Sequence, residues 1–198
     1  FNPKSGSGET AVVKMDPLGQ VSVIINTVPE GQGHETVVQQ IVADELTITP
    51  DEVRVVSGID TFTRFWSITT GTYSSRFASV GASAVAMATR RVKEKLFKIA
   101  AHKLDVDVDD LELGDGMIRV KGAPERRMPI RRVSGLAHWN QGDLPEGMEP
   151  GLKEIAYYKT QMAKRPSREN FNIQITHANS VHAVKVEVDA KNGAVRFL

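Results

Sequence analysis

Between Val21 and Leu46 the hydrophobic period changes once, and the change falls on a pair of glycines. Val21-Ser22-Val23-Ile24-Ile25 is an apolar, β-branched run that reads as a buried strand. Asn26-Thr27-Val28-Pro29-Glu30 then leads into Gly31-Gln32-Gly33 and His34-Glu35-Thr36. A helical spacing starts at once, with Val37, Val38, Ile41, Val42 and Leu46 three or four positions apart. A strand, a glycine turn and a helix start bring backbone N–H groups and the positive helix end to one point. That is a general way to hold an anion, usually a phosphate. The same two glycines also suit a plain tight turn, and the loop alone does not separate the two uses.

Upstream, Ala11-Val12-Val13-Lys14-Met15-Asp16 is strand-like and is joined to Val21–Asn26 by Pro17-Leu18-Gly19-Gln20, which has turn chemistry. This predicts a hairpin and an antiparallel sheet. Downstream, the helix from about His34 to Leu46 stops at Thr49-Pro50-Asp51, and Val53-Arg54-Val55-Val56 reads as the next strand. Strand, glycine loop, helix and strand mimic a dinucleotide-binding fingerprint, which keeps a Rossmann-type nucleotide-binding enzyme among the alternatives. The third glycine position is Thr36, however, and the first strand belongs to a hairpin.

A second stretch, Thr70-Gly71-Thr72-Tyr73-Ser74-Ser75-Arg76, stands before a long helix that runs to about Leu104, roughly 45 Å at the usual rise. Ser74 or Ser75 is a natural N-cap. The first half of this helix is small (Ala78, Ser79, Gly81, Ala82, Ser83, Ala84, Ala86, Ala88), so other backbones can approach it closely. In the second half Val85, Val92, Leu96 and Ile99 share one side, with Arg90, Arg91, Lys93, Lys95 and Lys103 outside. A second helix N-terminus aimed at the same anionic ligand, with Ser74, Ser75 and Arg76 as donors, is the sharper reading; a buried helix with a serine cap is the plainer one.

The remainder is punctuated. Asp105–Asp110 is an acidic link without the glycine and closing glutamate of a calcium loop, and Leu111–Lys121 reads as a hairpin about Gly114-Asp115-Gly116. Arg126, Arg127, Arg131 and Arg132 form a basic patch of the kind usually left in solvent. His138–Gly151 is rich in Gly and Pro, Lys153–Lys159 is strand-like, and His177–Asp189 alternates as one long strand before a turn at Ala190–Gly193. His177 and His182 fall on opposite faces of such a strand, so they do not share a metal.

The chain has 198 residues, with 25 basic and 24 acidic side chains, a balance that does not suggest a nucleic-acid binder. It has no cysteine, which removes thiolate metal sites and cysteine nucleophiles and is compatible with a cytoplasmic setting. No apolar run is long enough for a membrane span. The start at Phe1 and the strand-like end, Val195-Arg196-Phe197-Leu198, read as a piece of something longer. The expected class is α+β: a mixed, largely antiparallel set of sheet layers packed on helices, including one long helix over about Ser75–Leu104. Sub-lobes are expected at 1–104 and 105–198.

Taken together, several stretches resemble a known family. They are Gly31-Gln32-Gly33-His34-Glu35-Thr36, Ile41-Val42-Ala43-Asp44, Asp51–Val56, Gly71-Thr72-Tyr73-Ser74-Ser75-Arg76, Gly147–Leu152 and Val181–Asp189. The family is the molybdopterin-binding large subunit of xanthine dehydrogenases and aldehyde oxidases, which often has Gly where Ser74 stands. The resemblance implies a molybdenum ion held by the dithiolene of a pyranopterin, in bacteria usually a cytosine dinucleotide, with no protein thiolate needed. It implies that Gly31, Gln32, Gly33 and His34 lie along the pterin, and that Thr70, Gly71, Tyr73, Ser74, Ser75 and Arg76 contact pterin or pyrophosphate. It further implies oxidative hydroxylation of an aldehyde or N-heterocycle with oxygen from water, electrons leaving through iron–sulfur clusters to FAD on partner domains or subunits. The family's catalytic glutamate motif and its phenylalanine-glycine loop have no counterpart in this chain, so no catalytic residue is assigned and the chain is expected to be inactive alone. A non-catalytic assembly module of the same fold is the other alternative.

Overall fold

The computed structural model describes residues 8–58, 72, 75–160, 176 and 180–198. Its first hairpin follows from the turn. The Asp16 carboxylate accepts the backbone N–H groups of Leu18 and Gln20, both at 2.9 Å, and Gly19 takes φ 87°. That folds β1 (Gly8–Met15) onto β2 (Val21–Ile25) antiparallel, with Met15 opposite Val21 and Ala11 opposite Ile25. Helix α1 (His34–Leu46) then carries the chain over the sheet, and β3 (Val53–Ser57) returns parallel to β2, Val21 opposite Val53. A crossover helix imposes this parallel return, so the sheet is mixed at this point where the hairpin by itself suggested an antiparallel one.

A π-helical turn over Phe77–Gly81 runs into α2 (Ala82–Leu104), together 28 residues of continuous helix. Next come β4 (Leu111–Gly114), β5 (Met117–Val120) and β6 (Ala123–Pro129), a three-stranded antiparallel sheet, and α3 (Ile130–Trp139). β7 (Leu152–Lys159) goes back to pair antiparallel with β1 along its whole length, giving the order β3-β2-β1-β7. The fold is therefore α+β, with largely antiparallel sheets and one long helix, as the sequence led us to expect.

Period two on the strands and period 3.6 on the helices converge on one core. Ala11, Val13 and Met15 of β1 share a face with Val21, Val23 and Ile25 of β2, Val53 of β3, and Leu152 and Ala156 of β7. α1 and α2 cover that face with Val38, Val42, Leu46, Val85, Val92, Leu96 and Ile99, all buried. The small residues Ala84 and Ala88 are fully buried, as expected where α2 lies close to its neighbours.

The structure adds to or corrects three readings. The segment carrying the four arginines, read only as a basic patch, forms β6 and α3, with Ile130, Val133 and Ala137 supplying the buried helical stripe, and α3 reaches one residue past His138 into the Gly- and Pro-rich stretch. The arginines themselves do lie in solvent. In the proposed long strand from 177, only β8 (Val186–Val188) is strand, pairing with β9 (Val195–Phe197); residues 177–179 lie outside the described residues. The alternation of Val184, Val186 and Val188 is real, but every residue from 180 to 198 is exposed, and two strands alone do not make a stable sheet. Finally, of the two serines offered as caps, Ser75 does not cap the long helix with its side chain, and Ser74 lies outside the described residues. Ser75 sits at φ 52°, and its carbonyl accepts the N–H of Ser79 at 3.3 Å and the Thr176 hydroxyl at 3.0 Å.

Candidate functional site

The glycine loop lies where the parallel strands β2 and β3 end and α1 begins. Gly31 has φ 102° and Gly33 φ 69°, and Gly33 is the N-cap of α1 without any side-chain cap bond. A Cβ built on either glycine would meet nothing within 4 Å, so both face open space. In the first turn of α1 the N–H groups of His34, Glu35 and Thr36 have no partner inside the helix; the ladder starts with Val37, whose N–H meets the Gly33 carbonyl at 3.1 Å. Gln32 is tied locally, its side-chain oxygen accepting the Glu30 N–H at 2.6 Å. Ser57, the last residue of β3, donates to the Glu35 carboxylate at 2.7 Å and fixes that side chain to the rim.

His34 points inward. It is 4% exposed, its ring stacks on Phe77 with centroids 3.9 Å apart and planes 12° from parallel, and its Nδ1 is buried without a hydrogen-bond partner. Among the described residues the second loop and the helix it leads into meet the first loop through this stack and through a 2.8 Å hydrogen bond from the Thr72 hydroxyl to the Val28 carbonyl. The starts of α1 and of the long helix thus stand side by side, as two loops serving one ligand require. Thr70, Gly71, Tyr73 and Ser74 lie outside the described residues.

Arg76 is placed differently from an exposed anion donor. It is 1% exposed; its guanidinium donates to the Glu9 carboxylate at 2.5 Å and to the Gly8 carbonyl at 2.6 Å, while its Nε is buried without a partner. Glu9, also 1% exposed, further accepts the Thr27 hydroxyl at 3.2 Å. Sequence reasoning missed Glu9 because nothing local marks it. Its partners come from the residues just past β2 and from the head of the long helix. The pair ties the first strand to both loops.

A cavity of about 870 Å³ lies at the other end of the sheet, beside Gly19, Ile48, Asp51, Gly116 and Arg131. Among the described residues there is no group of three or more His, Asp or Glu side chains able to hold a metal ion, and no helix long and apolar enough to cross a membrane. What the glycine loop offers is backbone donors, an open cradle and a positive helix end: the means to bind a phosphorylated or polyoxygenated ligand, with no acid–base pair to transform it.

Burial holds the His34 imidazole below its ordinary protonation range near about 6.5. The unfolded chain takes up a proton there while the native chain stays neutral to lower pH. The stability this contributes is complete above that range and is lost as pH falls towards the native pKa. Urea midpoints are therefore expected to drop between about pH 7.5 and about pH 5.5, and His34→Phe should reduce that drop. An equal drop in the variant would refute the assignment to His34.

Comparison with known proteins bears on this site. Residues 1–198 match the molybdopterin cofactor-binding domain family. The nicotine 6-hydroxylase large subunit of Paenarthrobacter nicotinovorans is 34% identical over 95% of this chain and 21% of its own length. The carbon monoxide dehydrogenase large chain of Afipia carboxidovorans is 37% identical over 76% of this chain and 18% of its own. Among solved structures, quinoline 2-oxidoreductase from Pseudomonas putida superposes with a TM-score of 0.73 at 31% identity, over 96% of this chain and 22% of that one. The chain spans about a fifth of the length of these relatives.

Proposed function

The chain belongs to the molybdopterin cofactor-binding domain family, within the xanthine dehydrogenase family of large subunits, and from that premise we propose that it is the part of a molybdenum hydroxylase that holds the cofactor at Gly31–His34 and the head of the long helix. The observation that carries this reading is the juxtaposition of two helix starts at an open glycine cradle, locked by the His34–Phe77 stack. The donor set fits the group. A pyranopterin dinucleotide presents pyrophosphate and ring heteroatoms, which backbone N–H groups and a helix N-terminus satisfy. The glycines let the backbone come close to such a ligand, as a Cβ would not.

When bound, the molybdenum–pterin group supplies oxidative hydroxylation with oxygen drawn from water. The chain's own residues bind and orient. Gly31, Gln32 and Gly33 would lie along the pterin, His34 anchors the start of α1, and Thr70, Gly71, Tyr73, Ser74 and Ser75 are proposed to contact pterin or pyrophosphate. Arg76, committed to Glu9, fixes the head of the long helix to β1. We propose the cytosine dinucleotide form, iron–sulfur and FAD partners on other domains or subunits, the remaining large-subunit sequence as the source of the catalytic glutamate, an aldehyde or N-heterocycle as substrate, and a cytoplasmic setting. The relatives' names give the context: a large subunit, a large chain and, in one further case, a subunit of a 6-hydroxypseudooxynicotine dehydrogenase complex.

The test is metal analysis with cofactor release on the native complex containing this polypeptide and on the isolated chain. Molybdenum with a cytosine-bearing pterin fragment in the complex, and little in the isolated chain, is the expected result. No molybdenum in the complex would overturn the reading and leave a binding or assembly module of the same fold.

A further inference from the structure

We infer that Phe77, seated on Gly81 inside the π-helical turn, is a positioning residue for the glycine loop and acts through His34. The inference rests on the cofactor reading above. The long helix does not begin as an ordinary α-helix: Phe77–Gly81 form a π turn, a rare local geometry often found at functional sites. The Phe77 ring is folded back over Gly81, where a Cβ would lie 2.6 Å from Cδ2 and 3.0 Å from Cε2. Only glycine leaves room for the ring there without moving it. Gly81 is itself buried, with φ −65°, so its glycine is explained by this contact and not by backbone strain.

The same ring also stacks on His34, nearly parallel at 3.9 Å. His34 is the first residue of α1 and directly follows Gly33, so the ring that fixes the imidazole also fixes where the α1 N–H groups point. Phe77 cannot drift, because the preceding residue, Arg76, is clamped to Glu9 and the Gly8 carbonyl. The order of support runs from β1 through Arg76 to Phe77, then His34, then the loop. His34 Nδ1 has no hydrogen-bond partner, which leaves the aromatic stack as the visible restraint on the ring.

The experiment uses the native complex containing this chain, with Phe77→Leu, Phe77→Tyr, Gly81→Ala, His34→Ala and the His34→Ala/Phe77→Leu double variant. Two quantities are read: molybdenum per polypeptide, and the rate at which diethyl pyrocarbonate modifies His34, mapped by peptide mass spectrometry. Phe77→Leu and Gly81→Ala are expected to lower molybdenum by about fivefold, the scale set by loss of one aromatic stack, and to raise His34 reactivity by a similar factor. Phe77→Tyr should restore both. In the His34→Ala background, Phe77→Leu should lower molybdenum no further, because a residue acting through His34 has nothing left to act on. Wild-type reactivity in Phe77→Leu, unchanged molybdenum despite raised reactivity, or an additive double variant would each overturn the inference. If the wild-type complex held no molybdenum, the cofactor reading would fail and the positioning role at the cofactor would fail with it; His34 reactivity would still report whether Phe77 restrains the ring.

Discussion

Arg76→Ala is expected to destabilise the fold by about 3–5 kcal/mol, because it removes the guanidinium that pairs with the Glu9 carboxylate at 1% exposure. The cost comes from the buried charge left behind more than from the worth of the pair, since two charges taken out of water regain little when they meet. That distinction gives the prediction a second arm. Glu9→Leu with Arg76→Met removes both charges together, and the double variant should be more stable than either single change. Arg76→Lys should not rescue. A single ammonium nitrogen does not reproduce the planar fork that reaches both the Glu9 carboxylate and the Gly8 carbonyl. Urea unfolding of the subunit carrying each change, at one protein concentration, measures all five: the two single changes, their double, Arg76→Ala and Arg76→Lys. A midpoint for Arg76→Ala equal to wild type would mean that Glu9 finds water or another cation, and the pair would lose its structural role.

The contrast between Arg76 and Gly33 shows what the sequence could and could not disclose. Gly31-Gln32-Gly33 was legible because its signal is local: a period of two ends, a period of 3.6 begins, and two glycines stand between them. α1 therefore runs over His34–Leu46 as expected, and the buried stripe of α2 is Val85, Val92, Leu96 and Ile99 as expected. Arg76 stands in an equally local motif, yet its partner Glu9 lies on β1 and is brought near only once β1, the end of β2 and the head of the long helix have packed. Phe77 and His34 meet for the same reason. No spacing rule reaches across such separations.

Other misses were of a different kind. α3 carries Ile130, Val133 and Ala137 at helical spacing, a readable signal that four arginines and Gly135 obscured. Gly135 is there for contact, not as a breaker: a Cβ would come within 3.4 Å of the Pro17 carbonyl oxygen and 3.5 Å of the Trp139 ring. The alternation at Val184, Val186 and Val188 was legible as a strand face, but alternation states only that a face wants covering. It does not supply the neighbouring strands, and among the described residues only β9 is paired with it. Local chemistry was open to reading; the pairing of distant segments was not.

Gly33→Ala is expected to cost the native complex roughly tenfold in cofactor occupancy under limiting conditions, about 1.4 kcal/mol of binding free energy, and a matched control shows why this is not ordinary strain. Gly33 and Gly122 have nearly the same φ, 69° and 76°, and a Cβ on either would meet nothing within 4 Å. Alanine at each therefore carries the same backbone penalty, about 1–2 kcal/mol in the left-handed region. They differ in what adjoins them. Gly122 stands in the turn between β5 and β6, in the small sheet, whereas Gly33 opens α1 at the end of β2 and β3. If the space beside Gly33 belongs to a ligand, its methyl group displaces that ligand or forces the helix start away from it; the methyl at Gly122 displaces only water. Molybdenum per polypeptide, read beside thermal unfolding for both variants, separates these effects. Equal stability loss with cofactor lost only in Gly33→Ala assigns the cradle to the cofactor. Equal stability loss with full cofactor in both would leave the open space at Gly33 as a turn and nothing more, and the binding site would have to be sought elsewhere on the subunit.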